Sequence, residues 1–200
     1  LAAEAGADII FYPSADEMYP SGHSTLIDTG DLTRTLCGKS RPGHFHGVAT
    51  VVAKLFLIVG PDRAYFGQKD YQQTVVIRKM VRDLNFPVRI KVVETMRESD
   101  GLAMSSRNIY LTPRERSEAG TLYASLKTAK HEVLEGELSV ARIKARIRSM
   151  ILKTSGRIDY IECVDAQTLR PIKRFDGRCV IAVAIHFGKA RLIDNIILQI

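Results

Sequence analysis

The eight residues Phe66-Gly67-Gln68-Lys69-Asp70-Tyr71-Gln72-Gln73 place a glycine, a cation, a carboxylate and two amides where a strand-like stretch gives way to a helix-like one. In an open α/β sheet, ligands bind at the carboxyl ends of strands, beside helix amino termini whose free N–H groups favour anions. Gly67 would let the backbone approach a ligand closely, Lys69 would add a full charge for a phosphate, and Asp70 could accept hydrogen bonds from sugar hydroxyls. The same residues also suit a plain turn at Gly67 and a helix N-cap at Asp70. Gln73 precedes Val76 and Ile77 by three and four residues, which puts it on the apolar stripe of its helix. A buried amide left unpaired costs roughly 1–3 kcal/mol. Gln73 is therefore expected to face either neighbouring backbone or a polar ligand.

A second cluster is the loop from Arg97 to Asn108, which gathers Gly101, Met104, Ser105, Ser106 and Arg107. Such a loop can fold over a polyphosphate, with Arg107 making charge-assisted bonds to its oxygens. It reads equally as a polar linker. Neither serine is expected to act as a nucleophile, because nothing nearby supplies an activating base. The stretch Arg41-Pro42-Gly43-His44-Phe45-His46-Gly47 pairs a cation with His-x-His. A metal site there would need a third ligand that the sequence does not identify. Contact of Arg41 or His44 with an anion, or a polar loop before a helix, remain the two readings. His23, His131 and His186 have no partner in view and read as structural or surface residues.

These residues sit in a chain of 200 with 46% hydrophobic content, enough for one good core or two small ones. No segment reaches the roughly 20 uninterrupted apolar residues that span a bilayer. Cys37, Cys163 and Cys179 are far apart and odd in number, which argues against a disulfide framework or a structural zinc and fits a reducing, cytoplasmic setting. The formal net charge of +7 favours anionic ligands without choosing among nucleotide, phosphate and nucleic acid. The run Arg142, Lys144, Arg146 and Arg148 falls mostly on the polar side of its helix and reads as a solvated face.

The elements that must position the clusters follow from periodicity. Ala7 to Tyr12, ended by Pro13, reads as a buried strand, and Leu26 to Asp28 as a weaker one. From His44, the spacing of Val48, Val51, Val52, Leu55, Phe56 and Val59 predicts a helix stopped by Gly60-Pro61-Asp62. Arg63 to Phe66 reads as a strand, Asp70 opens a helix with its stripe at Val76, Ile77, Met80, Val81 and Leu84, and Val88 to Glu94 is another strand. This alternation predicts a parallel sheet with helices on its faces. Beyond residue 95 the texture changes. Two amphipathic helices are expected through Leu122, Leu126, Ala129 and Val133 and through Val140, Ile143, Ile147 and Met150, with Gly136 between them. Strands at Ile158 to Val164, Cys179 to His186 and Ala190 to Ile193 follow, the last two joined as a hairpin through Phe187-Gly188-Lys189. The expectation is an α/β chain in two parts, residues 1–95 and a small α+β domain over 96–200.

Taken together and in order, Met18-Tyr19-Pro20-Ser21-Gly22, Arg41 to Thr50, Phe66 to Gln73, Arg97 to Leu111 and Arg191 to Asn195 resemble the pantoate–β-alanine ligase family, over essentially the whole chain. The combination Gly-x-Lys-Asp-x-Gln-Gln with Asp-Gly-Leu-Ala-Met-Ser-Ser-Arg-Asn is specific. The resemblance implies the second half of a Rossmann-like nucleotidyltransferase domain, followed by a small α+β lid domain, and a homodimer. It implies an ATP- and Mg²⁺-dependent joining of pantoate to β-alanine through an acyl-adenylate, with no nucleic acid or membrane as partner.

By the same resemblance, Gly67, Gln68, Lys69 and Asp70 bind ATP, with Lys69 on phosphate, Asp70 near ribose and Gln68 acting mainly through its backbone. Met96 matches a backbone contact to adenine, and Met104, Ser105, Ser106 and Arg107 match a mobile phosphate-binding loop. Lys69, Ser105, Ser106 and Arg107 would thus carry the catalytic charge stabilisation. Gln73 matches a pantoate-binding glutamine, and Val48, Val51, Val52 and Phe66 match the pocket for its gem-dimethyl group. The family's His-x-Gly-His segment does not occur in these residues, and a second glutamine and the acidic metal ligands are expected before Leu1. A truncated chain, inactive or nearly so by itself, is the resulting expectation.

Overall fold

A computed structural model describes residues 2–200. The helices are α1 (Ala15–Met18), α2 (Leu36–Ser40), α3 (His44–Val59), α4 (Tyr71–Asp83), α5 (Pro113–Ala119), α6 (Thr121–Leu134) and α7 (Val140–Ile151). The strands are β1 (Arg63–Gly67), β2 (Arg89–Val93), β3 (Arg157–Asp165), β4 (Arg178–Phe187) and β5 (Ala190–Gln199). Short 3₁₀ turns cover Gly30–Thr33, Gln68–Asp70 and Ser106–Tyr110.

The expected strand–helix–strand unit is present. β1 and β2 pair in parallel, from Arg63 opposite Arg89 to Gly67 opposite Val93, with α4 as the crossover. A parallel pair needs such a crossover, and the helix that supplies it must bury one face. That face is Val76, Ile77 and Met80, all essentially inaccessible, continued at the first turn by Gln72. Leu84, expected on the stripe, lies past the helix end and is exposed.

Helix α3 packs on α4, but with a different face from the one expected. Phe45, Ala49, Ala53 and Phe56 are buried, while Val48, Val51 and Val52 are half-buried and Val59 is exposed. The large β-branched residues dominate the sequence pattern, whereas the two alanines allow the closest approach of the helices. The face is therefore rotated by about one residue, or roughly 100°.

Two expected strands are not formed. Ile9 to Tyr12 has exposed side chains and no regular structure, and no strand among the described residues pairs with it. An apolar run becomes a strand only when a neighbour completes its ladder. Leu26 to Asp28 is likewise irregular. The Ile27 N–H donates to Thr50 Oγ1 at 3.0 Å, and Asp28 Oδ1 accepts the Gly30 N–H at 2.8 Å. These local side-chain bonds replace a ladder.

The second half is a three-stranded antiparallel sheet in the order β3-β4-β5, joined at the expected hairpin. One face, with Ile181, Val183 and Ile185, packs under α5, α6 and α7. The other face, with Val164, Val180 and Ala182, shares a core with α3 and α4. Burial on both sides explains why β4 is a continuous apolar run rather than an alternating one. Helix α6 buries Leu122, Leu126, Ala129 and Val133 as expected, whereas α7 ends its stripe on Ile151 rather than Met150. Helix α5 is not among the expected elements, although Thr112 and Glu115 form a capping box before Pro113, a legible start signal.

Strand β5 continues six residues beyond the expected Ile193, through Asp194 and Asn195, both 3% exposed. The Asp194 carboxylate takes two bonds from the Arg97 guanidinium, at 2.7 and 3.0 Å, and Arg97 also lies over the Tyr123 ring. Asp194→Ala would leave that guanidinium half-satisfied in a site 19% exposed. It should cost about 3 kcal/mol, read as a shift of the urea midpoint. A loss below about 1 kcal/mol would show that the pair behaves like a surface bridge.

Candidate active site

The Gln68–Asp70 turn, the first turn of α4, the chain from Leu36 to Phe45, strand β5 and the Ser106–Tyr110 turn line one cleft. Six residues singled out from the sequence meet there: Arg41, His44, Lys69, Asp70, Gln73 and Arg107. Lys69 and Asp70 stand at the amino terminus of the 13-residue helix α4, where N–H groups lack helical acceptors. Asp70 takes the N-cap position of α4, as the plain reading of this residue has it, but makes no side-chain cap bond. Arg107 reaches in from the opposite side and donates to the Arg191 carbonyl at 3.2 Å.

Arg41 and His44 belong to the same wall. Arg41 donates to His44 Nε2 at 2.9 Å, so the ring accepts there and is neutral. Burial first, then the charge of Arg41 and Arg107, pushes the His44 pKa below its usual value, with Asp70 pulling the other way and Arg191 adding to the depression. The sequence did not assign roles to the floor of the cleft. Arg191 makes two bonds to Asp159 Oδ2, at 2.7 and 2.9 Å, and both its terminal nitrogens lie 3.6 Å from Cys37 Sγ. Cys37 Sγ is also 3.2 Å from the Tyr160 hydroxyl. Of this floor, only Arg191 falls within a segment of the resemblance, Arg191 to Asn195, and without a role; the polar pair Asp194-Asn195 inside an apolar run is the signal that could have pointed here.

The buried amide of α4 is Gln72, not Gln73. Gln72 is 5% exposed, its Oε1 accepts the Cys37 N–H at 3.0 Å, and its Nε2 donates to the Leu32 and Thr35 carbonyls at 2.8 and 2.7 Å. It thereby fixes the turn that carries Leu36, whose φ is 47°. Gln73, one residue on, is half-buried and lines the cleft, and its side chain makes no hydrogen bond among the described residues.

The remaining candidates lie around the cleft rather than in it. Gly67 ends β1 and is exposed, and the Gln68 and Lys69 carbonyls accept from Asn195 Nδ2. Ser105 Oγ accepts the Arg107 N–H at 3.2 Å, and Ser106 is exposed. Met96 and Met104 expose most or half of their surface and are joined by a backbone bond of 2.9 Å. Val48, Val52 and Phe66 pack at the margin of the α3–α4 core, with Phe66 edge-on to Phe56, and Val51 is half-buried beside them. His46 turns from His44 towards Asp28, 3.2 Å away. Among the described residues no three His, Cys, Asp or Glu side chains converge as metal ligands, and no helix is long and apolar enough to cross a membrane.

The fold is that of an α/β protein with a cation-lined cleft at the amino terminus of its crossover helix. Comparison with known proteins narrows the class. The sequence model of the Pantoate-beta-alanine ligase family matches residues 1–197. The pantothenate synthetases of Caldicellulosiruptor bescii and Moorella thermoacetica are 53% and 51% identical to the chain, which is covered in full in both cases and spans 71% of each relative. The crystal structure of pantothenate synthetase from Thermus thermophilus superposes with a TM-score of 0.92 at 47% identity, over 97% of this chain and 71% of that one. A pantoate-beta-alanine ligase from Francisella tularensis, complexed with β-γ ATP and β-alanine, gives 0.73 at 33% identity, over 98% of this chain and 66% of that one. The chain belongs to the pantoate-beta-alanine ligase family.

Two outcomes test this geometry. Gln72→Leu strands one N–H and two carbonyls and should cost about 2 kcal/mol or more in urea unfolding, whereas Gln73→Leu should change stability by no more than about 0.5 kcal/mol. Equal losses would contradict the division between them. The second outcome concerns pH. His44 and His186 both have pKa values lowered on folding, by burial first. The unfolded chain therefore binds more protons just below its own histidine pKa of about 6.5. The contribution of these rings is complete above that pH and is lost as the pH falls through it. His44→Gln should flatten the stability slope between about pH 7 and 5, measured as urea midpoints across that range.

Proposed function

We propose that the cleft binds ATP and pantoate, and that the protein joins pantoate to β-alanine through a pantoyl-adenylate. The observation that carries this reading is the meeting of Lys69, Asp70 and Gln73, at the amino terminus of α4, with Arg107 in one cleft, and Lys69 outside any ion pair among the described residues. A pantoate carboxylate oxygen attacks the α-phosphorus of ATP, and the bond to pyrophosphate breaks. The β-alanine nitrogen then attacks the acyl carbon, the bond to AMP breaks, and the amine proton passes to solvent. Only the free amine carries the lone pair that this step needs.

Lys69 and Arg107 face the phosphates, where their charge offsets what develops on the oxygens. Ser105 and Ser106 offer hydroxyl and N–H groups beside Arg107, and Met104 leads into that loop. Gly67 and Gln68 bring the backbone of the turn close, Asp70 accepts from ribose, and the Met96 backbone meets adenine. Gln73, with its amide unspent, binds pantoate, and the half-buried sides of Val48, Val51, Val52 and Phe66 take the gem-dimethyl group. No side chain is placed as a general base, so the rate rests on positioning and charge. Magnesium normally takes one or two carboxylates together with substrate phosphates. The cleft offers the single unpaired carboxylate Asp70, so no step is routed through the metal. Residues 1–95 are read as the nucleotide-binding part and 96–200 as the lid, in a cytoplasmic homodimer.

Calorimetric titration of Mg·ATP into the chain tests the site. Lys69→Ala should weaken binding at least about tenfold, the worth of a charge-assisted bond. Unchanged affinity would remove Lys69 from the phosphates. Coupled assays should show release of AMP and pyrophosphate that requires pantoate and β-alanine, in a polypeptide that also carries a His-x-Gly-His segment. These 200 residues contain no such segment and are expected to turn over little by themselves. Full turnover by the purified chain would overturn that expectation.

A further inference from the structure

The turn that holds Lys69 is gripped from a distant part of the chain. Asn195 Nδ2 donates to the Gln68 carbonyl at 3.0 Å and to the Lys69 carbonyl at 2.9 Å, across more than a hundred residues of sequence. Both partners are acceptors, so the amide can face them only with its nitrogen. Asn195 Oδ1 has no partner among the described residues, so nothing else dictates the orientation of the amide. Asn195 is 3% exposed and lies in the middle of β5, opposite Ala182 of β4.

The same strand reaches the second phosphate-facing cation. The Arg191 carbonyl of β5 accepts from Arg107, and the Asp194 carboxylate holds Arg97 while also accepting the Asn195 N–H at 2.8 Å. The separation of Lys69 from Arg107 is thus referred to one strand. A displacement of about 1 Å at such a site is enough to cost a large part of the binding or rate it supports.

We propose that Asn195 is a positioning residue: by clamping the Gln68 and Lys69 carbonyls to β5, it sets where the Lys69 ammonium meets the phosphates. The inference rests on the reading of the cleft as an ATP site. It predicts an effect on the phosphates and none on the nucleoside, which a merely structural role would not produce.

The test is a double-mutant cycle on the chain, with Mg·ATP and adenosine titrated into the unsubstituted protein, Asn195→Ala, Lys69→Ala and the double variant. Asn195→Ala should weaken ATP binding by about five- to tenfold, and the double variant should bind ATP within about twofold of Lys69→Ala, because contacting groups are coupled. Adenosine affinity should be the same in all four. Additive effects on ATP, or an equal loss for adenosine, would overturn the positioning role while leaving the ATP site standing. If the unsubstituted chain shows no saturable ATP binding, or Lys69→Ala leaves it unchanged, the ATP reading falls and this inference with it. Urea unfolding checks that each variant is folded. Should Asn195→Ala fail to fold, Asn195→Ser, which keeps one donor, enters the same cycle, and coupling of its smaller loss to Lys69 is the expected result.

Discussion

The structure hangs on two polar residues buried in an otherwise apolar strand. Asp194 and Asn195 occupy the centre of β5, where a buried carboxylate needs a charged partner and a buried amide needs hydrogen bonds. Asp194 meets its demand with Arg97, which starts the segment leading to the Ser105–Arg107 turn. Asn195 spends its Nδ2 on the carbonyls of Gln68 and Lys69, at the junction of β1 and α4, while its Oδ1 has no partner among the described residues. Adjacent strand residues point to opposite faces, so the pair serves both sides of the sheet at once. The polar cost of burial is thereby converted into a fixed relation between the two halves that wall the cleft.

The sheet itself is constrained in the same way. Because β4 is buried on both faces, Val180 and Ala182 belong to the core of α3 and α4, while Ile181 and Val183 belong to that of α5 to α7. Two hydrophobic clusters thus share one three-stranded sheet as their common wall. A slip of one residue in β4 would exchange the two sets of side chains, so packing on both sides enforces the register. The cleft lies at the edge of this shared wall, where Ile193 and Asn195 of β5 meet the first turn of α4.

Much of this was legible in the sequence wherever one period dominated. Helices α6 and α7, the parallel β1–β2 pair and the β4–β5 hairpin follow from spacing and from Gly188. Lys69, Asp70, Gln73 and Arg107 were drawn from two separate motifs and meet in one cleft. The misreadings have physical causes. Alanine does not register as a strong apolar signal, yet Ala49 and Ala53 set the packing face of α3. Ile9 to Tyr12 has the composition of a strand, but pairing is a tertiary property. Gln72 and Gln73 both fit the stripe of α4, since Gln72, Val76 and Met80 form one column spaced by four and Gln73 and Ile77 another. Only the position of the Leu32–Cys37 turn decides which amide is spent on backbone. Asp194-Asn195 looks like the end of a strand until Arg97, far away in sequence, is brought beside it.

Charge explains why so few of the many cations can serve a ligand. Arg97 is spent on Asp194, Arg191 on Asp159, and Arg116 on Glu98 and Asp100. Along α7, three of the four basic residues pair with Glu132, Glu137 or Glu162, at exposures where such bridges are worth little. Arg41 bonds only the neutral His44 ring, so it keeps its charge. Lys69, unpaired among the described residues, and Arg107, whose guanidinium touches only a carbonyl, are the other cations of the cleft with charge to give. Their positions are dictated by neutral groups, the Asn195 amide and the Arg191 carbonyl. A neutral clamp leaves the charge of the cation undiminished, where a carboxylate in the same place would have neutralised the field a phosphate needs.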